Sequence, residues 1–590
     1  MKYSDLMVDW LVEQGYTHCF YVGGGNIMHL LDSCSRKMTC VAVVHEVAAG
    51  IAVEYFNATA GGPRALALVT AGPGMTNLVT ALSGAWLESR ELLVLGGQVK
   101  TADLARGEVR QRGIQEIDGV AIARSITVHA STVEDVLDRA DFLARTEAGS
   151  HGRKGPVFIE LPLDIQGRDV DPATLDTPVP SPPSPPRATP EQVTDLASRI
   201  SNAQRPVLLI GGGVRRDVAQ GLADQLAAAG VPVATTWNGA DRMGPDHPAY
   251  VGRTNTWGQR SANLIVQQAD LVVALGTRLG FQQTGFNWQE FAPVGDVVHV
   301  DLDPRELSKG HPRTALALQV DANNLLSDLL ALDLGQHGDW LAYCREVRAS
   351  ITQIEDNHTG EGFISPYVVA ATLGDLCTPA DVIIPCSSGG AFTVMMQTFE
   401  TKPGQVMVTN KGLAAMGYGL SGAIGAAIAS GRRTILVEGD GGFSQNLQEI
   451  GTAAVNDLDL KIFIFDDNGY ASIRSVQINY FNGRYVGCDR STGLGLPDWG
   501  RLFDTWGVPS MRLAAGFERD PEFLARFNGR GPQAFIVPID EKQTYFPRIT
   551  SRMVDGGGMV SNPLHRMTPP LDETLSARVG VYLPTKESTT

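Results

Sequence analysis

Short apolar runs alternate with longer amphipathic stretches along almost the whole chain. Runs such as ILV at 435–437 and IFIF at 462–465 contain no polar residue, so they lack the alternation of a half-exposed strand. Strands buried on both faces are typical of parallel sheets that carry helices on either side. The pattern therefore predicts an α/β fold built from doubly wound parallel sheets.

A proline-rich segment marks the clearest domain boundary. TPVPSPPSPPRATP at 177–190 contains seven prolines, which favour a stiff, extended linker. A chain of 590 residues is long enough for about three or four domains. We expect three doubly wound domains, at 1–176, 191–338 and 360–550, followed by a tail at 551–590. The predicted strands are THCFYV, CVAVVHE, RALALVT, ELLVLGG and PVFIELP in the first domain, PVLLIGGG, VPVATT, DLVVALGT and DVVHVDLD in the second, and VIIPCSS, QVMVTN, RTILVEGD, LKIFIFDD and QAFIVPID in the third.

Composition narrows the possible partners. The net charge of −16 argues against a nucleic-acid partner, because such proteins need a basic face. No apolar run reaches 18 residues, and the charged, amphipathic MKYSDLMVDWLVEQ does not resemble a signal peptide, so neither a membrane span nor secretion is expected. The seven cysteines are odd in number and lack Cys-x-x-Cys spacing. We expect reduced thiols in a cytoplasmic protein that binds small molecules.

Two aspartates follow neighbouring predicted strands. Asp440 ends one strand and Asp467 the next, so both should emerge at the same edge of the sheet. Gly441 and Gly442 allow a sharp turn after the first strand, and Ser444 is predicted to cap the following helix. Carboxylate oxygens suit Mg²⁺ that bridges to phosphate. The alternative is a pair of solvated loops.

At these residues the sequence resembles thiamine diphosphate enzymes. A Gly-Asp-Gly, here 439–441, followed after 24 residues by a strand that ends in a polar pair and Gly-Tyr, resembles the diphosphate motif of that family. The resemblance implies that Asp440, Asp467 and the carbonyl of Gly469 hold Mg²⁺. The family usually has Asn where this chain has Asp467, so the site gains a negative charge. Further diphosphate-side contacts are expected from Gly389, Gly390, Gly441, Gly442, Tyr470 and Ala471.

A carboxylate for the other end of the cofactor is also present. In the family a glutamate at the aminopyrimidine N1′ activates the cofactor, and CVAVVHEVAAG places Glu46 at the matching position. The alternative role for Glu46 is an acid that favours a helix start. TAGPGMTN resembles the Gly-Pro-Gly turn and Asn found beside the pyrimidine. The implied pyrimidine-side contacts are Gly24, Gly25, Pro73 and Asn77.

Within this superfamily the chain is most similar to the acetohydroxyacid (acetolactate) synthase group. YVGGG, TAGPGMTN, GGQV…RGIQEID, GRKGPVFIELPLDIQ and GLAAMGYGLSGAIGAA carry the likeness. It implies that Gln115 faces the active centre and that Met416 lies under the bent cofactor, although a Met at such a position is otherwise often core packing. No adjacent His pair of the simple decarboxylases is present. A carboligase is therefore favoured.

The central domain resembles the segments around FAD in the same group. GGG at 211–213 follows a predicted strand, GTR, DLD and VDA resemble segments around FAD, and an Arg in GRKGPV matches a flavin-contacting arginine. Bound FAD is expected in a largely structural role. The implied FAD contacts are Arg153, Gly211, Gly212, Gly213, Gly276, Thr277, Arg278, Asp301, Leu302 and Asp321.

Two departures bear on the acceptor. Val476 and Gln282 occupy positions where acetohydroxyacid synthases carry a Trp and an Arg that select a second 2-ketoacid. Loss of the cation should weaken capture of an anionic acceptor. The pattern is similar to thiamine flavoproteins that add a two-carbon branch to nucleotide-linked 4-keto-6-deoxy sugars, as in yersiniose biosynthesis. We expect transfer from pyruvate to such a sugar, with acetolactate synthase or a pyruvate oxidase type flavoenzyme as alternatives.

The resemblance also implies an assembly. Family active sites combine the pyrimidine half of one subunit with the diphosphate half of another, so a homodimer or homotetramer is expected. The tail, with the glycines of DGGGMVSNPLHRM at 555–567 as hinges, is predicted either to close over the site or to be a mobile terminus.

Overall fold

The computed structural model describes residues 1–554 and 558–584. It contains three six-stranded parallel sheets, which confirms the predicted α/β fold. All fourteen predicted strands are present, and the sheets contain four more strands, each at a sheet edge. All seven cysteines are free thiols. Within the described ranges, no helix has the length and apolar character needed to cross a membrane.

The first sheet has the strand order β2-β1-β3-β4-β6-β5. Trp10 and Phe142 pack over it with ring centroids 5.8 Å apart. The elements are α1 Tyr3–Glu13, β1 Tyr16–Tyr21, α2 Met28–Lys37, β2 Thr39–Ala42, α3 Glu46–Thr59, β3 Arg64–Val69, α4 Pro73–Glu88, β4 Leu92–Gln98, α5 Gly119–Ala123, β5 His129–Thr132, α6 Arg139–Thr146, β6 Pro156–Pro162, α7 Leu163–Gln166 and α8 Pro172–Leu175.

The second sheet follows the proline-rich segment and has the order β12-β11-β10-β7-β8-β9. Thr189 and Gln192 form a reciprocal capping box at the start of its first helix. The elements are α9 Pro190–Asn202, β7 Pro206–Ile210, α10 Arg216–Gly221, α11 Ala223–Ala229, β8 Val233–Thr235, β9 Tyr250–Arg253, α12 Arg260–Gln267, β10 Leu271–Leu275, α13 Phe281–Thr284, β11 Asp296–Asp301, α14 Pro304–Ser308, β12 Leu316–Gln319 and α15 Ala322–Leu330.

The third sheet has the order β14-β13-β15-β16-β18-β17. Its elements are α16 Gly338–Ser350, α17 Pro366–Leu376, β13 Val382–Ile384, α18 Gly389–Thr398, β14 Val406–Met407, α19 Tyr418–Ser430, β15 Thr434–Gly439, α20 Asp440–Phe443, α21 Ile450–Val455, β16 Leu460–Asp466, α22 Ala471–Phe481, α23 Trp499–Thr505, β17 Ser510–Arg512, α24 Pro521–Asn528 and β18 Gln533–Pro538. The tail contains the antiparallel pair β19 Ser551–Val554 and β20 Gly558–Ser561, and then α25 Glu573–Val579.

One sequence prediction needs correction, and another falls partly outside the described residues. Ser444 does not begin a helix: it ends the four-residue α20, and its hydroxyl donates to the carbonyl of Gly441 at 2.8 Å. The chain turns into α20 directly after β15, so the turn is complete before Ser444. Of the predicted hinge glycines in the tail, Gly556 and Gly557 lie outside the described residues.

The chain forms two compact units. The first comprises Met1–Pro183, Ala380–Phe392 and Val408–Pro538, and the second Ser184–Pro379, Thr393–Met407 and Ile539–Thr590. Within the first unit, α3 packs closely on α19. A Cβ atom on Gly425 of α19 would lie 2.0 Å from the carbonyl oxygen of Ala52 in α3, so the two helix backbones approach to a distance that only glycine permits.

This close approach gives a stability prediction. We expect Gly425→Ala to lower the free energy of unfolding by about 2 to 3 kcal/mol, because the added methyl forces the two helices apart. Gly221→Ala in α10 is the matched control, since a Cβ atom there meets open space; alanine in a helix should leave stability equal or slightly higher. Urea unfolding midpoints measure both changes. Equal midpoints for the two variants would contradict the packing argument.

Candidate active site

Asp440 and Asp467 lie at neighbouring strand ends. Gly439, the last residue of β15, is in register with Phe465 near the end of β16, so the chain leaves both strands at the same edge of the sheet. The side chain of Asp440 is fully buried, and Asp467 is 7% exposed. The predicted adjacency of the two carboxylates is therefore present.

Backbone amides hold Asp440 in place. Its Oδ1 accepts the N–H of Gly441 at 2.6 Å, and its Oδ2 accepts the N–H of Gly469 at 3.0 Å. A Cβ atom on Gly441 would lie 2.4 Å from the Tyr470 ring, and one on Gly469, whose φ is +130°, would lie 2.2 Å from the carbonyl oxygen of Cys488. Both positions therefore require glycine.

The electrostatics of this pair suit a divalent cation. Burial, with the charges of Asp467 and Asp466, raises the pKa of Asp440 well above its usual range. Burial also raises the pKa of Asp467 to about 6, although Arg474 acts in the opposite direction. Asp467 Oδ1 is buried and makes no hydrogen bond to any described residue, although Arg474 Nη2 lies 3.2 Å from it in an ion pair. A buried carboxylate oxygen beside a second carboxylate fits the oxygen coordination of Mg²⁺.

No larger metal-ligand cluster was found: residues 1–554 and 558–584 contain no group of three or more His, Cys, Asp or Glu side chains arranged for a metal. A site at Asp440 and Asp467 would therefore take its remaining ligands from backbone carbonyls, such as that of Gly469, and from the bound group. Asp466, the last residue of β16, pairs with Arg512 at 2.9 Å.

Glu46 begins α3 and is buried, as expected of an acid at a helix start, and its role toward the cofactor stays a prediction. Its Oε2 accepts a hydrogen bond from Asn77 Nδ2 at 2.9 Å. Asn77 lies one turn into α4, which starts at Pro73. Gly24 lies beside the end of β3, where a Cβ atom would come 2.4 Å from Thr70, while Gly25 faces open space. The predicted pyrimidine-side residues thus converge on the ends of β1 and β3.

Gln115 reaches the same region through its backbone. Gly72, with φ +64°, lies so close that a Cβ atom there would be 2.3 Å from the carbonyl oxygen of Gln115. Glu116, which the sequence did not single out, organises this loop by accepting the amides of Ala105, Arg112 and Gly113. Despite the opposing effect of burial, these donors hold the pKa of Glu116 below its usual range.

Met416 lies in the loop before α19. Its sulfur is 3.6 Å from Gln445 Nε2, and the adjacent carbonyl of Ala415 accepts the hydroxyl of Ser387 at 2.5 Å. Ser387 precedes Gly389, which has φ +81°, and Gly390. The glycine pair at the start of α18 and the loop of Met416 therefore lie near each other at the edge that carries Asp440.

Two buried acids tie the pyrimidine side to the diphosphate side within the first unit. Glu54 of α3 accepts Asn410 Nδ2 at 3.0 Å and the Tyr418 hydroxyl at 3.2 Å. Glu449 accepts the amides of Val44 at 3.2 Å and His45 at 3.1 Å, directly before Glu46. Sequence reasoning missed both acids, because their partners are more than 300 residues away along the chain.

The residues expected to contact FAD in the second unit share one sheet edge. They follow β7, β10, β11 and β12, which are adjacent strands. Gly211, Gly213 and Gly276 approach one another so closely that a Cβ atom on Gly211 would lie 2.3 Å from the carbonyl oxygen of Gly276. Gly212 lies against Asn238. The edge can present backbone to a ligand at close range.

The remaining predicted FAD contacts make local hydrogen bonds. The carbonyl of Thr277 lies 2.8 Å from His299 Nε2, and Asp321 caps α15 by accepting the amide of Asn323. Four further positions complete the set: Arg278 accepts Lys309 Nζ at its carbonyl, Asp301 accepts the amide of Asp303, Leu302 accepts Gln319 Nε2 at its carbonyl, and Arg153 in the first unit donates to the hydroxyl of Ser89.

The two positions that depart from the acetohydroxyacid synthase pattern are exposed. Gln282 lies in α13, and Val476 lies in α22 with 44% of its surface exposed. Neither side chain is part of a hydrophobic core, so packing does not dictate their identity.

Three family models match the chain in sequence order. Residues 1–122 match the thiamine pyrophosphate enzyme N-terminal TPP binding domain, residues 193–329 its central domain, and residues 388–536 its C-terminal TPP binding domain. The matched ranges contain Glu46, the strand ends of the central sheet, and both aspartates of the candidate metal site.

The chain is also similar to named proteins over most of its length. It is 30% identical over 555 residues to the acetolactate synthase isozyme 2 large subunit of Escherichia coli, and the aligned region covers 93% of this chain and 97% of that protein. It is 29% identical over 585 residues to the probable acetolactate synthase large subunit of Methanocaldococcus jannaschii, covering 95% of each chain.

Proposed function

Because the chain belongs to the thiamine pyrophosphate (thiamine diphosphate) enzyme family, we propose that it is a carboligase of the acetolactate synthase type that decarboxylates pyruvate and joins the two-carbon unit to a second 2-ketoacid. The observation that carries the proposal is the buried pair Asp440 and Asp467 at adjacent strand ends. Similarity to acetolactate synthases over nearly the full length supports the choice of reaction.

Thiamine diphosphate, when bound, supplies a nucleophilic carbon and an electron sink. Asp440, Asp467 and the Gly469 carbonyl would hold its diphosphate through Mg²⁺. Glu46 would hold a proton at the pyrimidine N1′, and Asn77 keeps the Glu46 carboxylate oriented by its 2.9 Å hydrogen bond. Gln115 would position substrate from the loop anchored by Glu116.

The acceptor in this proposal differs from the one the sequence favoured. The named relatives are acetolactate synthases, which supports a 2-ketoacid over a nucleotide-linked 4-ketosugar. Exposed Val476 and Gln282 favour the sugar as a second candidate, because neither offers a cation to an anionic acceptor. FAD at the strand ends of the central sheet, in a structural role, and assembly into a homodimer or homotetramer belong to the same proposal.

Product analysis tests the reaction. Incubation with labelled pyruvate, Mg²⁺ and thiamine diphosphate should give acetolactate as the dominant product, and a nucleotide 4-ketosugar in the mixture should not divert the label. The products are measured by NMR and mass spectrometry. A labelled branched sugar as the main product would replace the 2-ketoacid with the sugar as acceptor. Bleaching of bound flavin by pyruvate at the turnover rate would instead indicate an oxidase.

A further inference from the structure

Arg474 is the largest fully buried side chain in the described structure. It lies in α22, one turn after Tyr470, whose carbonyl accepts the Arg474 amide at 2.9 Å. Its Nη2 donates to the backbone carbonyl of Asp467 at 2.7 Å and lies 3.2 Å from Oδ1 of the same residue. A buried guanidinium is costly unless it pairs with negative charge, and here Arg474 pairs with a candidate metal ligand.

The negative charge of the aspartates at the site accounts for the position of Arg474. Asp440 and Asp467 are both buried, whereas the third aspartate, Asp466, already pairs with the half-exposed Arg512. Two buried carboxylates cancel the charge of a single Mg²⁺ and leave nothing to attract a diphosphate. Arg474 then supplies the positive charge that the metal alone lacks.

The geometry adds a second effect. One guanidinium contacts both the main chain and the carboxylate of Asp467, so it fixes where the strand end points as well as its charge. The planar guanidinium of arginine can donate to two acceptors at once, whereas the ammonium of lysine is less suited to contact both. The fixed strand end continues to Gly469, whose amide holds Asp440.

We propose that Arg474 is a positioning residue of the metal and diphosphate site, which offsets the charge of Asp467 and orients it so that two aspartates can share one Mg²⁺ and still accept a diphosphate. This inference rests on the proposed function, since it requires that the chain bind thiamine diphosphate through Mg²⁺. It assigns a role to a residue of α22 outside the ligand set.

The test is a cofactor titration of the full-length protein after removal of divalent ions. Calorimetry with thiamine diphosphate at saturating Mg²⁺ would compare wild type, Arg474→Lys, Arg474→Met and the double variant Asp467→Asn with Arg474→Met. We expect Arg474→Met to weaken binding about 10- to 100-fold, Arg474→Lys to retain part of it, and the double variant to bind more tightly than Arg474→Met alone. Arg512→Met, which removes the exposed partner of Asp466, is the matched control and should change binding less than about threefold.

Each result decides between alternatives. Wild-type-like binding by Arg474→Met, or a double variant no tighter than Arg474→Met, would overturn the inference. A purely structural arginine would change unfolding but not the dependence of cofactor affinity on salt, which should become shallower when Arg474 loses its charge. If Arg474→Met does not fold, the double variant decides, and its failure to bind the cofactor overturns the inference. Wild type that does not bind the cofactor would overturn the proposed function itself.

Discussion

Glu46→Gln is expected to lower the turnover of pyruvate by about 10²- to 10⁴-fold, the range for loss of a positioned acid or base. Glutamine keeps the length of the side chain and can still accept the hydrogen bond from Asn77 Nδ2. It cannot exchange a proton with the pyrimidine nitrogen. The loss should therefore fall on kcat, while the affinity for thiamine diphosphate changes little, as measured by steady-state kinetics and calorimetry.

The control for this substitution is Glu522→Gln, which neutralises an exposed glutamate of α24. It should leave kcat unchanged, because among the described residues the Glu522 carboxylate pairs only with Arg526 of its own helix. Full activity in Glu46→Gln would exclude Glu46 as the activating group. A large loss of cofactor affinity with an unchanged kcat at saturation would reduce its role to binding.

Most strands buried on both sides could be predicted from the sequence, but the fully buried β9 was missed. All four strands without a sequence prediction, β5, β9, β12 and β17, lie at sheet edges. Strands such as HAST at 129–132 and SMR at 510–512 are short and only partly buried, so they carry no apolar run. Their pairing depends on a neighbouring strand already in place, which a local pattern cannot reveal.

The candidate site likewise contains residues that could be predicted from the sequence and residues that only the structure reveals. Asp440 and Asp467 could be placed together because parallel strands end at a common edge, and the glycines beside them follow from close backbone contacts. Arg474 follows Asp467 by seven residues in the sequence, yet only the orientation of α22 shows that its side chain contacts Asp467. The sequence shows the extra negative charge at Asp467, and the structure adds that Arg474 pairs with it.

The second large effect is expected on cofactor binding when Asp440 is replaced. Asp440→Ala should weaken Mg²⁺-dependent binding of thiamine diphosphate by about 10²-fold or more, since even residues behind a metal ligand cost 10- to 100-fold when removed. The substitution also removes the acceptor for the amides of Gly441 and Gly469, so both turns lose their common anchor. Calorimetry and the rate of acetolactate formation measure the loss.

Metal removal makes this prediction specific. Wild type in excess EDTA should bind thiamine diphosphate as weakly as Asp440→Ala does in Mg²⁺. The first protein lacks the metal and the second lacks a ligand of that metal, so both lose the same contact. Asp504→Ala, which removes an exposed carboxylate of α23, should behave as wild type in both conditions. If Asp440→Ala still binds the cofactor, and EDTA releases it from both proteins, Mg²⁺ is held elsewhere. Because two buried carboxylates with raised pKa values are costly without a cation, a metal bound at the ends of β15 and β16 relieves their repulsion.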